Sequence, residues 1–235
     1  MPKPPSTGSP GTRGGRRPPT RVPRHTLNRR RIVDTAVALI DEAGLDACTM
    51  PALAARLGVG TMSLYRHVET KDDLLGAVAE HLVKGVAVPP GADDDWEGRV
   101  VGYLRSLREQ AVRHPALARI LADRGLTATP VFDHLEIVLG VMRAAGFSRL
   151  DAVRAFYGLL TYVFGYVLWE LPRVRHQPSS AYAAAWDEAL DALPPEDFPH
   201  LGELREELAT SASEDQFEYG LAHLVEALRA HAGGD

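Results

Sequence analysis

The segment Thr61-Met62-Ser63-Leu64-Tyr65-Arg66-His67 carries two small hydroxyls, a phenol, a guanidinium and an imidazole within seven residues. Groups of this kind donate to and accept from base edges and phosphate oxygens, and they need neither a nucleophile nor a metal to do so. Leu64 and Val68 are four apart, so on a helix they share an inward face, while Thr61, Met62, Ser63, Tyr65, Arg66 and His67 stay mainly outside. Other chemistries find little support. The sequence has no G-x-S-x-G elbow, no G-x-x-x-x-G-K-[ST] loop and no H-E-x-x-H, so an enzyme is not expected. The nine histidines lack metal-ligand spacing, and no metal or cofactor is expected. The one cysteine, Cys48, excludes a disulfide scaffold and a multi-cysteine zinc site, and reads as a small buried residue.

The elements around this segment explain how it would be held. A Gly58-Val59-Gly60 turn precedes it. Before the turn, Thr49 is a candidate N-cap and Pro51 stands in the first helical turn, where a missing N–H costs little. Leu53, Ala54 and Leu57 then face inward. Two short helices joined by a Gly turn make a helix-turn-helix unit. Upstream, Ile32, Ala36, Leu39, Ile40 and Ala43 form a helical stripe that Gly44 ends. Downstream, Thr70-Lys71-Asp72-Asp73 is a capping-box-like start with Asp where Glu is usual. That start, with Lys71, is suited to a phosphate.

Ile32 to Leu75 resembles the DNA-binding module of the TetR-type (tetracycline repressor) family of bacterial transcription regulators. The resemblance is carried by IVDTAVALIDEAGLDACTMPALAARLGVGTMSLYRHVETKDDLL, above all by its GLDACT, LAARLGV and LYRHVETKDDLL stretches. Weaker similarity continues in RHPALARI, AAGFS and FEYGLAHLVEAL, which resemble the subgroup nearest the tetracycline repressor itself. By motif position, the resemblance implies that Thr61, Met62 and Ser63 read bases and that Tyr65, His67 and Lys71 grip phosphate. It puts Thr49 at the DNA-facing start of the preceding helix. Pro51 departs from the pattern, because relatives often place a basic or polar contact there and proline cannot donate. Met62 offers only apolar contact, as to a thymine methyl.

Charge is unevenly spread. Residues 1–31 hold nine of the 26 basic side chains and no acid, leaving 17 basic against 31 acidic in the remainder of a chain whose net charge is −5. A basic arm on an acidic body points to nucleic acid, with the body turned away from it. Residues 1–25 are Pro-, Gly- and Arg-rich with almost no large apolar side chain, and read as a disordered arm. The arm shows no export signal, and its seven prolines suit a transit helix badly. The longest uncharged apolar run, Ala155 to Trp169, is 15 residues. A bilayer needs about 20, so the reading is a cytoplasmic protein with no membrane partner.

The remaining texture is helical, and the fold class is all-α. Helices are predicted near 28–43, 50–57, 61–67, 71–86, 95–113, 115–123, 128–145, 149–170, 181–192 and 213–231, with a short one near 200–210. This divides the chain into an arm at 1–25, a helix-turn-helix domain at 26–86 and a larger helical ligand-binding and dimerisation domain at 87–235. Residues 149–170 are apolar nearly all round, with a Gly158, Thr161, Gly165 stripe of small residues that admits another helix. The last helix has Phe217, Leu221, Leu224, Val225 and Leu228 on one face. The family resemblance implies an intersubunit four-helix bundle built from these helices. It also implies a homodimer on a near-palindromic operator, with half-sites about one DNA turn (~34 Å) apart.

The resemblance further implies a small-molecule site in the body. Tyr103, Leu107, Leu121, Leu135, Phe156 and Trp169 are candidate lining residues, each equally suited to plain core packing. The corresponding stretches hold mainly Leu, Ala and Val, so a magnesium-chelated ligand does not fit, and an apolar or aromatic one does. Glu170 is either a polar anchor or half of an exposed salt bridge. The expected function is a homodimeric repressor released from its operator by a small effector. The alternative is a ligand-independent regulator or architectural DNA binder.

Overall fold

The computed structural model describes residues 27–91, 95–124, 129–176, 179–210 and 213–232. The basic arm lies outside them. Among the described residues there are helices, short 3-10 turns and loops, with no strand.

The N-terminal helices are α1 (Arg29–Ala43), α2 (Met50–Leu57), α3 (Thr61–Leu64) and α4 (Lys71–Val83). Their ends are set by local chemistry. Asn28 caps α1 by accepting from the Arg31 N–H, and Thr49 and Thr70 do the same for α2 and α4. Gly58 closes α2 in the left-handed region (φ 68°, ψ 32°), as the Gly turn requires. Gly44 also has positive φ (86°), but its ψ of 165° lies outside the left-handed helical basin, in a region open essentially to glycine alone. A 3-10 turn, Leu45–Ala47, follows it, which the helical pattern did not foreshadow.

The body comprises α5 (Trp96–Arg113), α6 (Ala116–Arg124), α7 (Thr129–Ala144), α8 (Arg149–His176), α9 (Ser179–Asp191), α10 (Pro199–Glu203), α11 (Arg205–Thr210) and α12 (Glu214–Leu228). The helix expected near 200–210 is two short ones. The one expected at 149–170 continues to His176. By length and composition alone, Arg149–Glu170 is apolar enough to cross a bilayer. In the fold it is the central helix of the body: Ala152, Ala155, Phe156, Leu159, Leu160, Val163 and Val167 are buried in the core.

Two apolar cores form. The larger lies among α5, α7, α8 and α12, with Trp96 edge-on to Phe147. The other fills the N-terminal helices with Ile32, Leu53, Leu64, Val68, Leu74 and their neighbours, and continues into Leu117, Ile120 and Leu121 of α6 and Val131 of α7. The first four helices are thus seated on the body rather than tethered to it. Polar links reinforce the seat. Asp41 of α1 meets His114 Nδ1 at 2.8 Å, and Asp46 lies 3.9 Å from Arg119.

Candidate nucleic-acid interface and buried cavity

The reading segment is shorter as a helix than its pattern predicts. Regular α-helix ends at Leu64, and the His67 and Val68 N–H groups both return to the Leu64 carbonyl, at 2.8 and 3.0 Å. Leu64 and Val68 are fully buried and pin the segment, as their spacing requires. Met62, at 78% exposure, and Tyr65, at 43%, project outward. Thr61, Ser63 and His67 are half-buried, and Arg66 and Lys71 are exposed. Thr49 is exposed, but its hydroxyl is engaged by the Ala52 N–H at 3.3 Å.

The expected capping box is real but displaced. Thr70 accepts from the Asp73 N–H at 2.9 Å, whereas Asp73 reaches the N–H of Glu69, one residue before the cap. Asp73 also takes Arg29 Nη2 at 2.8 Å, while Arg29 Nη1 donates to the His67 carbonyl at 3.0 Å. Hydrogen bonding to Asp73 holds the Arg29 guanidinium above its usual pKa, so it is firmly charged. Arg29 therefore ties together the starts of α1 and α4 and the end of the reading segment. Its position within the basic N-terminal run gave no sign of this role. Cys48 is buried beneath, and burial pushes its thiol pKa up against the opposing pull of Lys71.

In the body, a small cavity of about 20 Å³ is lined by Val83, Tyr103, Leu107, Leu121, Val131, Phe156, Leu160 and Phe164. Four of the six sequence candidates meet there: Tyr103, Leu107, Leu121 and Phe156. Leu135 packs, partly buried, against the larger core instead. Trp169 is 68% exposed on the outer face of α8, away from the cavity. An all-round apolar helix does not reveal which face turns inward, and Trp169 fell on the other one. Leu160 and Phe164 follow Phe156 at i+4 and i+8, a signal that could have found them. Val83 had none, because it comes from α4.

Tyr103 brings the one hydroxyl to the cavity lining, and polar links tie the surrounding helices together. Gln110 of α5 is buried and donates to the Leu82 carbonyl at 3.0 Å, and the Ala87 N–H donates to Ser106 Oγ at 2.8 Å. Both bonds fasten α5 to the end of α4. Glu170 is 7% exposed and pairs with Arg108 at 2.7 Å, so this salt bridge is buried rather than exposed. The Arg108 guanidinium lies 4.7 Å from the Phe217 ring centroid and thereby joins α5, α8 and α12. Among the described residues, no group of three or more His, Cys, Asp or Glu side chains is placed to hold a metal ion.

Outside, α8 and α12 leave a second apolar surface. Leu150, Val153, Tyr157, Leu168 and Trp169 of α8 are exposed, as are Tyr219 and Leu224 of α12. A Cβ added at Gly158 or Gly165 would meet nothing within 4 Å. The expected single face of α12 is in fact divided. Phe217, Leu221 and Val225 are buried, and Leu224 opens onto a groove of about 360 Å³ beside Ala155, Gly158 and Leu159.

Comparison with known proteins agrees with this layout. Residues 32–78 match the family of bacterial regulatory proteins called the tetR family, and residues 88–232 match the tetracyclin repressor-like C-terminal domain. The chain is similar to an HTH-type transcriptional regulator of Saccharopolyspora erythraea, at 31% identity over 88% of this chain and 86% of that protein. It is also similar to the tetracycline repressor class A from transposon 1721 of Escherichia coli, at 36% identity over 59% of this chain and 65% of the repressor. Among solved structures, the TetR family protein ActR of Streptomyces coelicolor, in complex with actinorhodin, superposes with a TM-score of 0.79 at 32% identity, covering 89% and 98% of the two chains. With both of its halves matched and its reading segment held outward on two buried anchors, the chain belongs to the tetR family of bacterial transcription regulators and is not an enzyme.

Proposed function

We propose that the protein is a cytoplasmic, homodimeric repressor that a small, largely apolar or aromatic effector releases from a near-palindromic operator. Residues 26–86 serve as the DNA-binding unit and residues 87–235 as the effector and dimer unit. Thr61, Met62 and Ser63 face base edges, and Tyr65, His67, Lys71 and Thr49 contact the backbone. The observation that carries the reading is the position of Val83. It forms a wall of the cavity and is the last residue of α4, whose first residue, Lys71, stands beside the reading segment.

An effector that enlarges the cavity displaces that wall and with it the helix that carries the reading head. Its differential affinity for the displaced arrangement is the coupling energy, commonly about 1–3 kcal/mol. Dimerisation is supported by the exposed apolar side chains that α8 and α12 present together, since clustered exposed apolar surface marks protein–protein contact. The ActR complex with actinorhodin supports a small-molecule effector for this chain as well.

The test begins with operator sites selected from a random DNA library by the purified protein. Fluorescence anisotropy on such a site, titrated with a panel of aromatic small molecules, should show release by at least one of them. Selection of a non-repeated site, or operator affinity unmoved by every compound, would leave the ligand-independent DNA binder as the better account.

A further inference from the structure

The cavity is apolar except at one corner. Tyr103 lines it and is 5% exposed, yet its hydroxyl makes no hydrogen bond among the described residues. The His134 ring of α7 meets the Tyr103 ring edge-on, with centroids 5.8 Å apart and planes at 89°. His134 Nδ1 is itself buried with no hydrogen-bond partner among the described residues. Buried polar atoms of this kind are rare, because each forgoes its bonds to water. His134 Nδ1 is such an atom, and its ring packs on that of Tyr103, the one lining residue with a hydroxyl to offer.

The protonation states are compatible with such a role. Burial pushes the Tyr103 phenol up to about 12, so it keeps its proton and both donates and accepts. Burial lowers the pKa of His134, with Asp133 opposing, which favours a neutral imidazole with one donor and one acceptor nitrogen. The other lining residues are Val83, Leu107, Leu121, Val131, Leu160, Phe156 and Phe164, so no charge lines the cavity.

We propose that Tyr103 and His134 form the polar end of the effector site, and that the effector is an uncharged aromatic molecule bearing a hydroxyl or carbonyl group directed between α5 and α7. A hydroxyl on the ring serves as donor and acceptor and satisfies both protein groups at once. A bare hydrocarbon gives neither group a partner, and a carboxylate meets no cation among the lining residues. Sites built to hydrogen-bond a hydroxyl reject the analogue that lacks it far more strongly than apolar pockets sort by size. This inference rests on the reading of the cavity as the effector site.

The experiment uses the full-length protein and two probes of nearly equal shape, 2-naphthol and 2-methylnaphthalene, titrated by fluorescence. Water holds the naphthol better than the hydrocarbon, so any preference for naphthol arises in the site. Wild type should bind 2-naphthol at least tenfold more tightly than 2-methylnaphthalene. Tyr103→Phe and His134→Leu should each bring that ratio down towards one, while affinity for 2-methylnaphthalene stays within about twofold. Tyr103→Phe removes only a hydroxyl that has no described partner, so its fold should survive, and its melting curve checks this. If both probes bind and both variants keep the wild-type ratio, the polar pair is overturned while the effector cavity stands. If neither probe binds wild type up to its solubility limit, the cavity reading falls and the polar pair with it.

Discussion

Gln110 of α5 donates its side-chain N–H to the carbonyl of Leu82 in α4 across 3.0 Å, and both residues are buried. This bond lies between the head and the cavity. Leu107, one turn back on α5, and Val83, next to Leu82, are both cavity walls. Replacing Gln110 with Leu leaves the Leu82 carbonyl with the Gly85 N–H at 3.0 Å, at a cost of about 1 kcal/mol. On the proposed coupling, the cost falls on the effector-free arrangement. Operator affinity measured by anisotropy should therefore drop several-fold, and less effector should be needed for release. Unchanged operator binding together with an unchanged effector response would show that the bond plays no part in coupling.

The reading head offers a more direct prediction. Tyr65 is exposed and Leu64 beside it is fully buried. Tyr65→Ala should cost operator affinity on the order of tenfold to a hundredfold, in line with about 1–3 kcal/mol per strong contact, with the melting temperature unchanged. Asp73→Asn acts differently. It weakens the ionic hold on Arg29 that joins α1, the reading segment and α4. Operator affinity and melting temperature should fall together in that variant.

Dimerisation is tested where the monomer has space to spare. A side chain at Gly165 meets nothing in its own chain within 4 Å. Gly165→Glu should therefore leave the chain folded while placing a charge in the proposed dimer face. Sedimentation velocity should show a monomer, and operator affinity should fall by at least tenfold because two half-sites are no longer read together. A stable dimer in this variant would place the interface elsewhere.

Within the protomer, Gly220 is where α12 approaches α8 closely. A Cβ there would stand 2.8 Å from Tyr162 Cζ and nearer still to its hydroxyl, which donates to the Phe217 carbonyl at 2.8 Å. Gly220→Ala should destabilise the protein by about 1–3 kcal/mol in denaturant melts. Adding Tyr162→Phe removes the closest atom and should recover part of the loss, which a double-mutant cycle measures.

Stability should fall on acidification in two stages. Burial holds His134 below its usual 6.5, against the pull of Asp133. The unfolded chain therefore takes that proton first, and stability declines as pH drops below about 6.5. Hydrogen bonds from Arg229 and Arg105 hold Glu97 and Glu218 below the usual 4.5. Their contribution is complete above that value and is lost as pH falls through their folded-state pKa values. Thermal melts between pH 8 and 3 should show both stages. His134→Leu should flatten the first and leave the second in place.

Some of this was legible because it depends on near neighbours in the chain. The caps Thr49 and Thr70, the turn at Gly58 and the anchors Leu64 and Val68 follow local rules of backbone satisfaction and helical spacing. Tyr103, Leu107, Leu121 and Phe156 came from likeness to a family, and they do share one cavity. What depended on packing between distant elements was not legible. Val83 joins the cavity only because α4 is seated on the body. Arg29 is engaged by Asp73, 44 positions away, although it reads as one more charge in a basic run. Trp169 is exposed on α8, a helix apolar on both sides, and periodicity cannot rank two apolar faces.

The small volume of the cavity also governs time. At about 20 Å³ it has room for roughly one water molecule, so the proposed aromatic effector would need its walls to part. The association rate should therefore level off with rising effector concentration, at the rate of opening. The measured Kd should exceed the intrinsic one by the inverse of the open fraction. A regulator gated in this way discounts brief pulses of effector and answers sustained exposure, so its delay would be written into how tightly these eight side chains close.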